Sequence, residues 1–517
     1  MKRFLMTVLA TVLLAGCAVS QVPPVDPGDG SFTLPTPSNF FNAGDAPDRR
    51  LASSAAGSVY LDPPAGQGLE RYLRQEINWT ECEAGFCAEV LVPLDWHNPD
   101  RTAISLALVK QEATLEPHAG TLFVHPGGPG GSATDFVARV AEKQFNNYDI
   151  IGVDTRGTGR STRVACGSDA EIAAFLALDA TPDTEEEEQS LIEGTKEYAD
   201  RCREESGDLL DHVSSIEAVY DYELLRRLLD QEKFNFFGVS YGTYLGALYA
   251  ELYPQNVGRM VLDAPVDVTH AGPDQVIGFD RAFTAFLDYC EENQCELGSD
   301  RSTVKQRVTD FLEELDSNPM PVGERLLTQN AALSGLLLYL YFPEDYFRQL
   351  DLVLAWAILH GDGSYLLRAA DQLDGRDENG SYADSNQAFN AVRCRDESDE
   401  GLTNSFDEWT ALQRTNSILG PFWGPDVVCP VWTAVGEQPV SFHSLATPIV
   451  LVSSLGDSAT PYENANNMAR VLGSYLVQRN GAGHGSVMRS ASCVDEVVRN
   501  YLIDGVTPTQ AVTKCQD

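Results

Sequence analysis

Lysine is scarce in this chain. Seven lysines stand among the 36 basic residues, against 76 acidic residues, and the formal net charge of the 517-residue chain is −40. Proteins that bind nucleic acid need Lys and Arg to replace the counterions of the phosphates, and proteins that bind an anionic membrane surface by charge need a basic patch. The composition therefore argues against both classes of partner, while the acidity itself does not identify a substrate.

Long apolar runs and cofactor motifs are also missing. Beyond the amino terminus, the longest apolar run lies around Leu336 to Phe342, well short of the about 20 residues that a membrane-spanning helix needs. The cysteines lack the twin Cys-x-x-Cys spacing of a structural zinc site, and the glycine-rich segments lack a Walker lysine or a dinucleotide-binding pattern. We therefore expect neither a metal nor a cofactor.

The amino terminus has the layout of an export signal. A basic start at residues 1–3 precedes an apolar stretch over residues 4–15 and a small residue before Cys17. Residues 14–17, Leu-Ala-Gly-Cys, resemble a bacterial lipobox. Residues 1–17 are therefore interpreted as a lipoprotein signal peptide with lipid attached to Cys17, which predicts a lipoprotein at the cell envelope. An ordinary secretory cleavage site with a coincidental cysteine is the alternative.

The next segment, residues 18–69, contains proline- and glycine-rich stretches without apolar periodicity. Such a composition is typical of a disordered tether. It would hold a folded domain away from a membrane that only the lipid contacts.

Eleven cysteines are present, an odd number. Setting Cys17 aside leaves an even set, which in an exported chain indicates disulfides. Sequence does not fix the connectivity, but neighbours along the chain would pair as Cys82–Cys87, Cys166–Cys202, Cys290–Cys295, Cys394–Cys429 and Cys493–Cys515.

Eight runs rich in β-branched and aromatic residues predict strands, and helix-length amphipathic stretches separate most of the later ones. The runs are Ala88–Leu94, Ile104–Gln111, Thr121–His125, Tyr148–Asp154, Phe234–Phe237, Arg259–Asp263, Pro448–Ser453 and Tyr475–Arg479. This alternation predicts an α/β core with a mostly parallel sheet. Residues 70–265 and 447–517 would form the core, and residues 266–446, mostly helical in pattern, an inserted domain.

A Gly-x-Ser-x-Gly pattern at residues 238–242 stands between a predicted strand and a predicted helix. A serine at such a sharp turn exposes its Oγ above the sheet, at a helix N-terminus. Ser240 is therefore the candidate nucleophile.

A serine nucleophile needs a base, and the base needs an acid that fixes its tautomer. His484 lies in a glycine-rich segment after the eighth predicted strand, and Asp457 follows the seventh. Ser240, Asp457 and His484 thus each follow the carboxyl end of a strand, in the chain order of a serine hydrolase triad. Singly, His484 could be a plain loop histidine and Asp457 a helix N-cap.

The third predicted strand runs into a loop of four glycines and two prolines at residues 126–131. Its bare N–H groups suit an oxyanion hole, to which Gly127 and Gly128 would contribute together with Tyr241, the residue after the nucleophile. A phosphate-binding loop is the competing interpretation, but its lysine is missing. His125 is interpreted as a residue that packs the loop.

The motifs together resemble the α/β-hydrolases of the proline iminopeptidase group, and among them most closely the secreted tripeptidyl aminopeptidases of actinobacteria and related lipoprotein proteases. The residues that carry this resemblance are Trp79 to Cys82, Val92 to Asp95, the segments 126–132, 154–159 and 238–243, and the surroundings of Asp457 and His484. The resemblance covers about residues 70–517 and implies the α/β-hydrolase fold.

The resemblance also implies a function. Peptides, or their amide and ester analogues, would be cleaved from a free amino end through an acyl-enzyme on Ser240, beneath a helical lid formed by residues 266–446. Related exopeptidases hold the substrate ammonium with acidic residues from the lid, for which Asp396 and Glu397 are the candidates here, a solvated acidic loop being the alternative. A carboxylesterase or other small-acyl hydrolase with the same triad is one alternative function, and a catalytically silent surface binding module is another.

Overall fold

The computed structural model describes residues 60–143, 145–269, 275–397, 400–415, 417–437, 440–489 and 492–516. The predicted signal peptide, Cys17 and the tether as far as residue 59 lie outside these residues.

The described residues form twelve strands. They are β1 (Thr80–Cys82), β2 (Gly85–Pro93), β3 (Ala103–Gln111), β4 (Thr121–His125), β5 (Asp149–Val153), β6 (Phe234–Val239), β7 (Val257–Asp263), β8 (Met320–Val322), β9 (Arg325–Leu327), β10 (Val450–Gly456), β11 (Tyr475–Ala482) and β12 (Val512–Cys515).

Fifteen α-helices accompany them. They are α1 (Ala133–Lys143), α2 (Asp169–Leu176), α3 (Glu185–Ser206), α4 (Ser215–Leu228), α5 (Tyr241–Leu252), α6 (Gln275–Asn293), α7 (Arg301–Ser317), α8 (Gln329–Leu340), α9 (Pro343–His360), α10 (Ser364–Leu373), α11 (Ser385–Asp396), α12 (Leu402–Gln413), α13 (Val428–Val431), α14 (Tyr462–Leu472) and α15 (Ser492–Asp504).

Ten of the strands make one sheet in the order β1-β2-β3-β5-β4-β6-β7-β10-β11-β12. The pairings from β5 to β12 are parallel, and those among β1, β2, β3 and β5 are antiparallel. The predicted α/β class is confirmed, and each of the eight predicted strands is present. The short edge strands β1 and β12 are additions to the prediction.

Apolar side chains fill both faces of the sheet, as expected for parallel strands covered by helices. On one face, Phe123 of β4 and Phe236 of β6 pack against Tyr222 of α4, with ring centroids 5.9 Å apart in both pairs. On the other face, Val124 of β4 belongs to a buried cluster with Val137 of α1. Each face therefore has its own core, and the carboxyl ends of the parallel strands open at one edge of the sheet.

Between β7 and β10 lie α6 to α13 and the two-stranded hairpin of β8 and β9. Helices α6 to α10 and the hairpin share a second apolar cluster, in which Phe283, Leu336 and Leu354 are buried. Val392 of α11 and Val428 of α13 instead belong to the apolar cluster on one face of the sheet. The insertion was predicted as helical, and the hairpin was not predicted.

Five disulfides join Cys82–Cys87, Cys166–Cys202, Cys290–Cys295, Cys394–Cys429 and Cys493–Cys515. These are the neighbouring pairs that chain order suggested. Among the described helices, none is long and apolar enough to cross a membrane.

The boundary between tether and core needs a correction. Leu61 exchanges two backbone hydrogen bonds of 2.9 Å with Ala103 at the start of β3, and the Tyr60 hydroxyl donates to the carbonyl of Ser206 at 2.9 Å. Residues 60–69 are therefore attached to the core, and the predicted tether 18–69 extends too far. The backbone pairing is a single isolated bridge between Leu61 and Ala103, and a contact of this kind has no signal in a proline- and glycine-rich sequence.

Candidate active site

Ser240 lies at the turn between β6 and α5, with a positive φ of 56°. Its N–H donates to the carbonyl of Asp263 at 2.9 Å. A Cβ at Gly127 would lie 2.8 Å from the Cβ of Ser240, and one at Gly238 would lie 2.4 Å from the carbonyl oxygen of Gly242. These approaches leave no room for side chains, and this explains why glycines surround the serine.

Asp457 and His484 meet at the next two strand ends. Asp457 follows β10 and His484 follows β11, and the Nδ1 of His484 lies 3.0 Å and 3.2 Å from the two carboxylate oxygens of Asp457. Both residues are buried, with 1% and 4% of their surface exposed for His484 and Asp457. Because a carboxylate only accepts, Nδ1 carries the proton.

The other ring nitrogen of His484 is therefore the one with a free lone pair. The Nε2 atom is buried and has no hydrogen-bond partner among the described residues. Such a nitrogen can accept a proton from a hydroxyl that comes within reach, and in a free enzyme this contact is often long.

Thr460 supports the acid and was not predicted from the sequence. Its N–H donates to Oδ1 of Asp457 at 2.8 Å, and its hydroxyl donates to Oδ2 at 3.1 Å. The same hydroxyl lies 3.2 Å from Nδ1 of His484. The available signal was the Asp-x-x-Thr spacing, which is typical of a turn in which an aspartate accepts from the residues that follow it.

Asp263, the last residue of β7, is a second buried carboxylate beside His484, and it too was missed. It accepts hydrogen bonds of 2.8 Å from the N–H groups of Ser486 and Val487. Burial raises the pKa of Asp263 to about 6. Its backbone carbonyl holds Ser240 and its carboxylate holds the loop that carries His484, so one residue links both loops.

The glycine-rich loop after β4 uses one of its N–H groups internally. Gly127 donates to Nδ1 of His125 at 3.1 Å, and burial lowers the pKa of His125 to about 3, which keeps the ring neutral. The oxyanion role of Gly127 stays a prediction, and it would require this N–H to leave the ring of His125. Gly128 and Tyr241 keep their candidacy, and the Tyr241 N–H lies in the first turn of α5, where amides lack partners within the helix.

The two acidic candidates of the insertion differ in their surroundings. Asp396, at the end of α11, accepts from the N–H of Ser215 at 2.8 Å and from its hydroxyl, and this hydroxyl also bonds the phenol of Tyr241. Burial raises the pKa of Asp396 to about 7. Glu397 instead lies 3.8 Å from a guanidinium nitrogen of Arg393. Asp396 is thus linked through a single hydroxyl to the residue after Ser240.

A possible metal-ligand group among the described residues consists of Cys290, Cys295 and Asp351. Its two cysteines are joined in a disulfide, and Asp351 accepts from the N–H groups of Glu296 and Leu297 at 3.0 and 3.1 Å. These residues serve to hold the loop between α6 and α7.

The strand order, with a serine at a strand-to-helix turn and an acid–histidine pair after later strands, defines the class of the α/β hydrolases. The family model for the α/β hydrolase fold matches residues 120–490. The chain belongs to this family.

Individual relatives refine this similarity. The chain is 29% identical to a tripeptidyl aminopeptidase of Streptomyces lividans over 518 residues, which cover 94% of each chain. It is 31% identical to the serine protease Hip1 of Mycobacterium tuberculosis, over 86% of this chain and 92% of the relative. A protein of the same organism named carboxylesterase B is also 31% identical, over 89% and 94%. The predicted resemblance is confirmed, and the chain is an enzyme.

We expect the carboxylate of Asp263 to be needed for stability and turnover. In an Asp263→Leu variant the two buried N–H groups of Ser486 and Val487 lose their acceptor, and each unsatisfied group costs about 1–3 kcal/mol. Asp263→Asn keeps one acceptor oxygen and should lose less. Urea denaturation together with kcat/KM measures both effects. Equal stability and turnover of the Leu variant and the wild type would contradict this role.

Proposed function

We propose that this chain is a serine hydrolase that removes short peptides from a free amino terminus through an acyl-enzyme on Ser240, with Asp457 and His484 as its acid and base. The observation that carries the proposal is the buried hydrogen bond between His484 Nδ1 and Asp457. It leaves Nε2 as the basic nitrogen, at the same sheet edge as the strained turn of Ser240.

In the proposed reaction, Nε2 of His484 takes the proton of the Ser240 hydroxyl while Oγ attacks the scissile carbonyl carbon. The N–H groups of Gly128 and Tyr241 would stabilise the oxyanion that forms. The C–N bond then breaks, and the leaving amine receives the proton from Nε2. A water molecule repeats the sequence on the acyl-enzyme, which releases the acid product and restores Ser240.

Two observations support a peptide with a free amino end as the substrate. Two of the compared relatives are named for peptidase activity, one of them a tripeptidyl aminopeptidase. In addition, Asp396 offers a carboxylate that a hydroxyl connects to Tyr241, where it could attract a substrate ammonium, and Glu397 would add charge nearby. We propose that residues 266–446 act as the lid that brings these groups to the core formed by residues 70–265 and 447–517.

A carboxylesterase is the second candidate function. The relative named carboxylesterase B has the same identity to this chain as the serine protease Hip1. The same nucleophile, base and oxyanion donors can hydrolyse esters, so only the choice of substrate separates the two functions.

We also propose that the enzyme is exported and anchored by lipid on Cys17. The signal-like residues 1–17 and the lipobox support this proposal. The five disulfides agree with it, because disulfides persist in oxidising compartments outside the cytosol.

Loss of the nucleophile or the base should abolish turnover. Ser240→Ala and His484→Ala should each lower kcat by about 10³-fold or more, because the members of a triad act as a unit. Ser190→Ala and His443→Ala, which change an exposed serine and an exposed histidine elsewhere, are the matched controls. Labelling by a serine-directed phosphonate should occur on Ser240. Retained turnover in either triad variant, or labelling of another serine, would reject the assignment.

Substrate preference should depend on Asp396 and on pH. Above its pKa of about 7 the Asp396 carboxyl is ionised, whereas a peptide amino group loses its charge above about pH 8. The KM for free-amino peptides, relative to amino-blocked ones, should therefore be lowest between these values and rise as the pH falls below 7. Asp396→Asn should abolish the rise of KM below pH 7. It should also lower kcat/KM for free-amino peptides about tenfold or more, because a charge-assisted hydrogen bond is lost.

The same substrate panel should include short-chain esters, with Glu397→Gln as the comparison variant. If esters are cleaved and no free-amino peptide is, the carboxylesterase is the correct function. An unchanged ratio of free-amino to blocked substrates in Asp396→Asn would remove Asp396 from the substrate site.

Lipid attachment is tested on the mature protein. Mass spectrometry of the amino-terminal peptide should find a diacylglyceryl group on Cys17, and Cys17→Ser should release the enzyme from membranes. An unmodified terminus at another residue would refute the anchor while leaving export intact.

A further inference from the structure

Three consecutive residues of the inserted domain, Leu340, Tyr341 and Phe342, form the corner between α8 and α9. The last carbonyl groups of a helix have no partner within it. At this corner the partners come from the proposed catalytic loops. The Ser458 hydroxyl donates to the carbonyl of Leu340 at 2.7 Å, and the N–H of His484 donates to the carbonyl of Tyr341 at 2.9 Å.

Side chains of the corner contact the same loop. The ring of Tyr341 meets the ring of His484 edge to face, with centroids 5.7 Å apart. The guanidinium of Arg489 lies over the ring of Phe342 at 4.7 Å, and one of its nitrogens donates to the carbonyl of His484 at 3.5 Å. The N–H and the ring of His484 therefore contact Tyr341 of the corner. The carbonyl of His484 is bonded by Arg489, which stacks on Phe342 of the corner.

Helix α6 of the inserted domain supports the Asp457 loop from a second direction. The side-chain amide of Gln275 donates to the carbonyl of Ala459 at 3.2 Å. A Cβ at Gly278 would lie 2.1 Å from the carbonyl oxygen of Ser458, so α6 and the loop are packed without a gap. The loop between Asp457 and Thr460 therefore rests on the insertion as well as on the sheet.

The core holds the His484 loop as well, because the N–H groups of Ser486 and Val487 donate to the carboxylate of Asp263. Catalytic groups must be kept within about 0.5 Å of their working positions by supports of this kind. The contacts on the insertion side are as direct as those on the core side.

We propose that the corner of residues 340–342 positions the Asp457–His484 pair, so that the inserted domain is part of the proton-transfer machinery and not only a cover. This proposal rests on the proposed function of Ser240, Asp457 and His484. It also requires that any movement of the insertion that admits substrate leaves this corner in place.

A test variant and a matched control test the proposal. Each removes one hydroxyl that donates a hydrogen bond to a terminal residue of α8. Ser458→Ala removes the bond at the carboxyl end of α8, and Thr181→Val removes the bond of 2.6 Å from Thr181 to Gln329 at its amino end. The readouts are kcat, KM and the rate of Ser240 labelling by a fluorophosphonate, with the melting temperature recorded for both variants.

We expect Ser458→Ala to lower kcat and the labelling rate about tenfold with KM unchanged, the effect of a small misplacement of catalytic groups. Thr181→Val should keep both rates within about twofold of the wild type. Ser458→Thr, which restores a hydroxyl, should recover part of the lost rate. If Ser458→Ala does not fold, Tyr341→Leu, which removes the ring beside His484 and keeps the backbone carbonyl, should show the same fall in kcat.

Equal rates in Ser458→Ala and Thr181→Val, with a reactive wild type, would overturn the proposal and leave the proposed function intact. A wild type in which the phosphonate does not label Ser240 would overturn both. The two failures are therefore distinguishable in one experiment.

Discussion

The hydrogen bond between two buried side chains, Nδ1 of His484 and the carboxylate of Asp457, is the interaction on which the rest of the site depends. Burying a carboxylate is costly unless its oxygens are satisfied. Here the ring, two backbone N–H groups and the Thr460 hydroxyl supply the donors. Because Asp457 accepts a hydrogen bond from Nδ1–H, it fixes the tautomer of His484 in which Nε2 is the basic nitrogen.

The fold brings residues far apart in the chain to one edge of the sheet. Strands β6, β7, β10 and β11 are neighbours and parallel, so the residues that follow them converge at their carboxyl ends. Asp263 ends β7, which lies between the strand before Ser240 and the strands before Asp457 and His484. Its carbonyl accepts from the N–H of Ser240, and its carboxylate accepts from the His484 loop. The parallel sheet therefore provides the approximate placement, and the buried polar contacts refine it.

The sequence predicts the parts of the molecule whose chemistry is local. Most residues of the eight predicted strands are apolar and buried or half-buried. The glycines around Ser240 lie where a Cβ would collide with neighbouring atoms, and the Gly-x-Ser-x-Gly pattern predicts this crowding. The edge strand β12 has only four residues, one of them the exposed Lys514, so it contains no apolar run that would predict a strand. Asp263 ends a predicted strand, but its role depends on Ser486, 223 residues further along the chain. The engagement of Gly127 by His125 depends on the rotamer of a neighbouring side chain, which no spacing encodes.

In the proposed enzyme, substrate choice depends on the insertion as well as on the core. Proteins named as a serine protease and as a carboxylesterase have the same identity to this chain, so overall similarity does not distinguish the two substrate classes. The family model matches residues 120–490 of this chain, which include the insertion together with the nucleophile, acid and base proposed here. An ester without an ammonium group gains nothing from a carboxylate, whereas a peptide amino terminus is attracted by one. Asp396 reaches Ser215 and, through it, Tyr241 because the end of α11 in the insertion meets the start of α4 in the core. In the proposed enzyme, one domain inserted between β7 and β10 thus supports the histidine at its α8 corner and offers the charge that distinguishes a peptide from an ester at the end of α11.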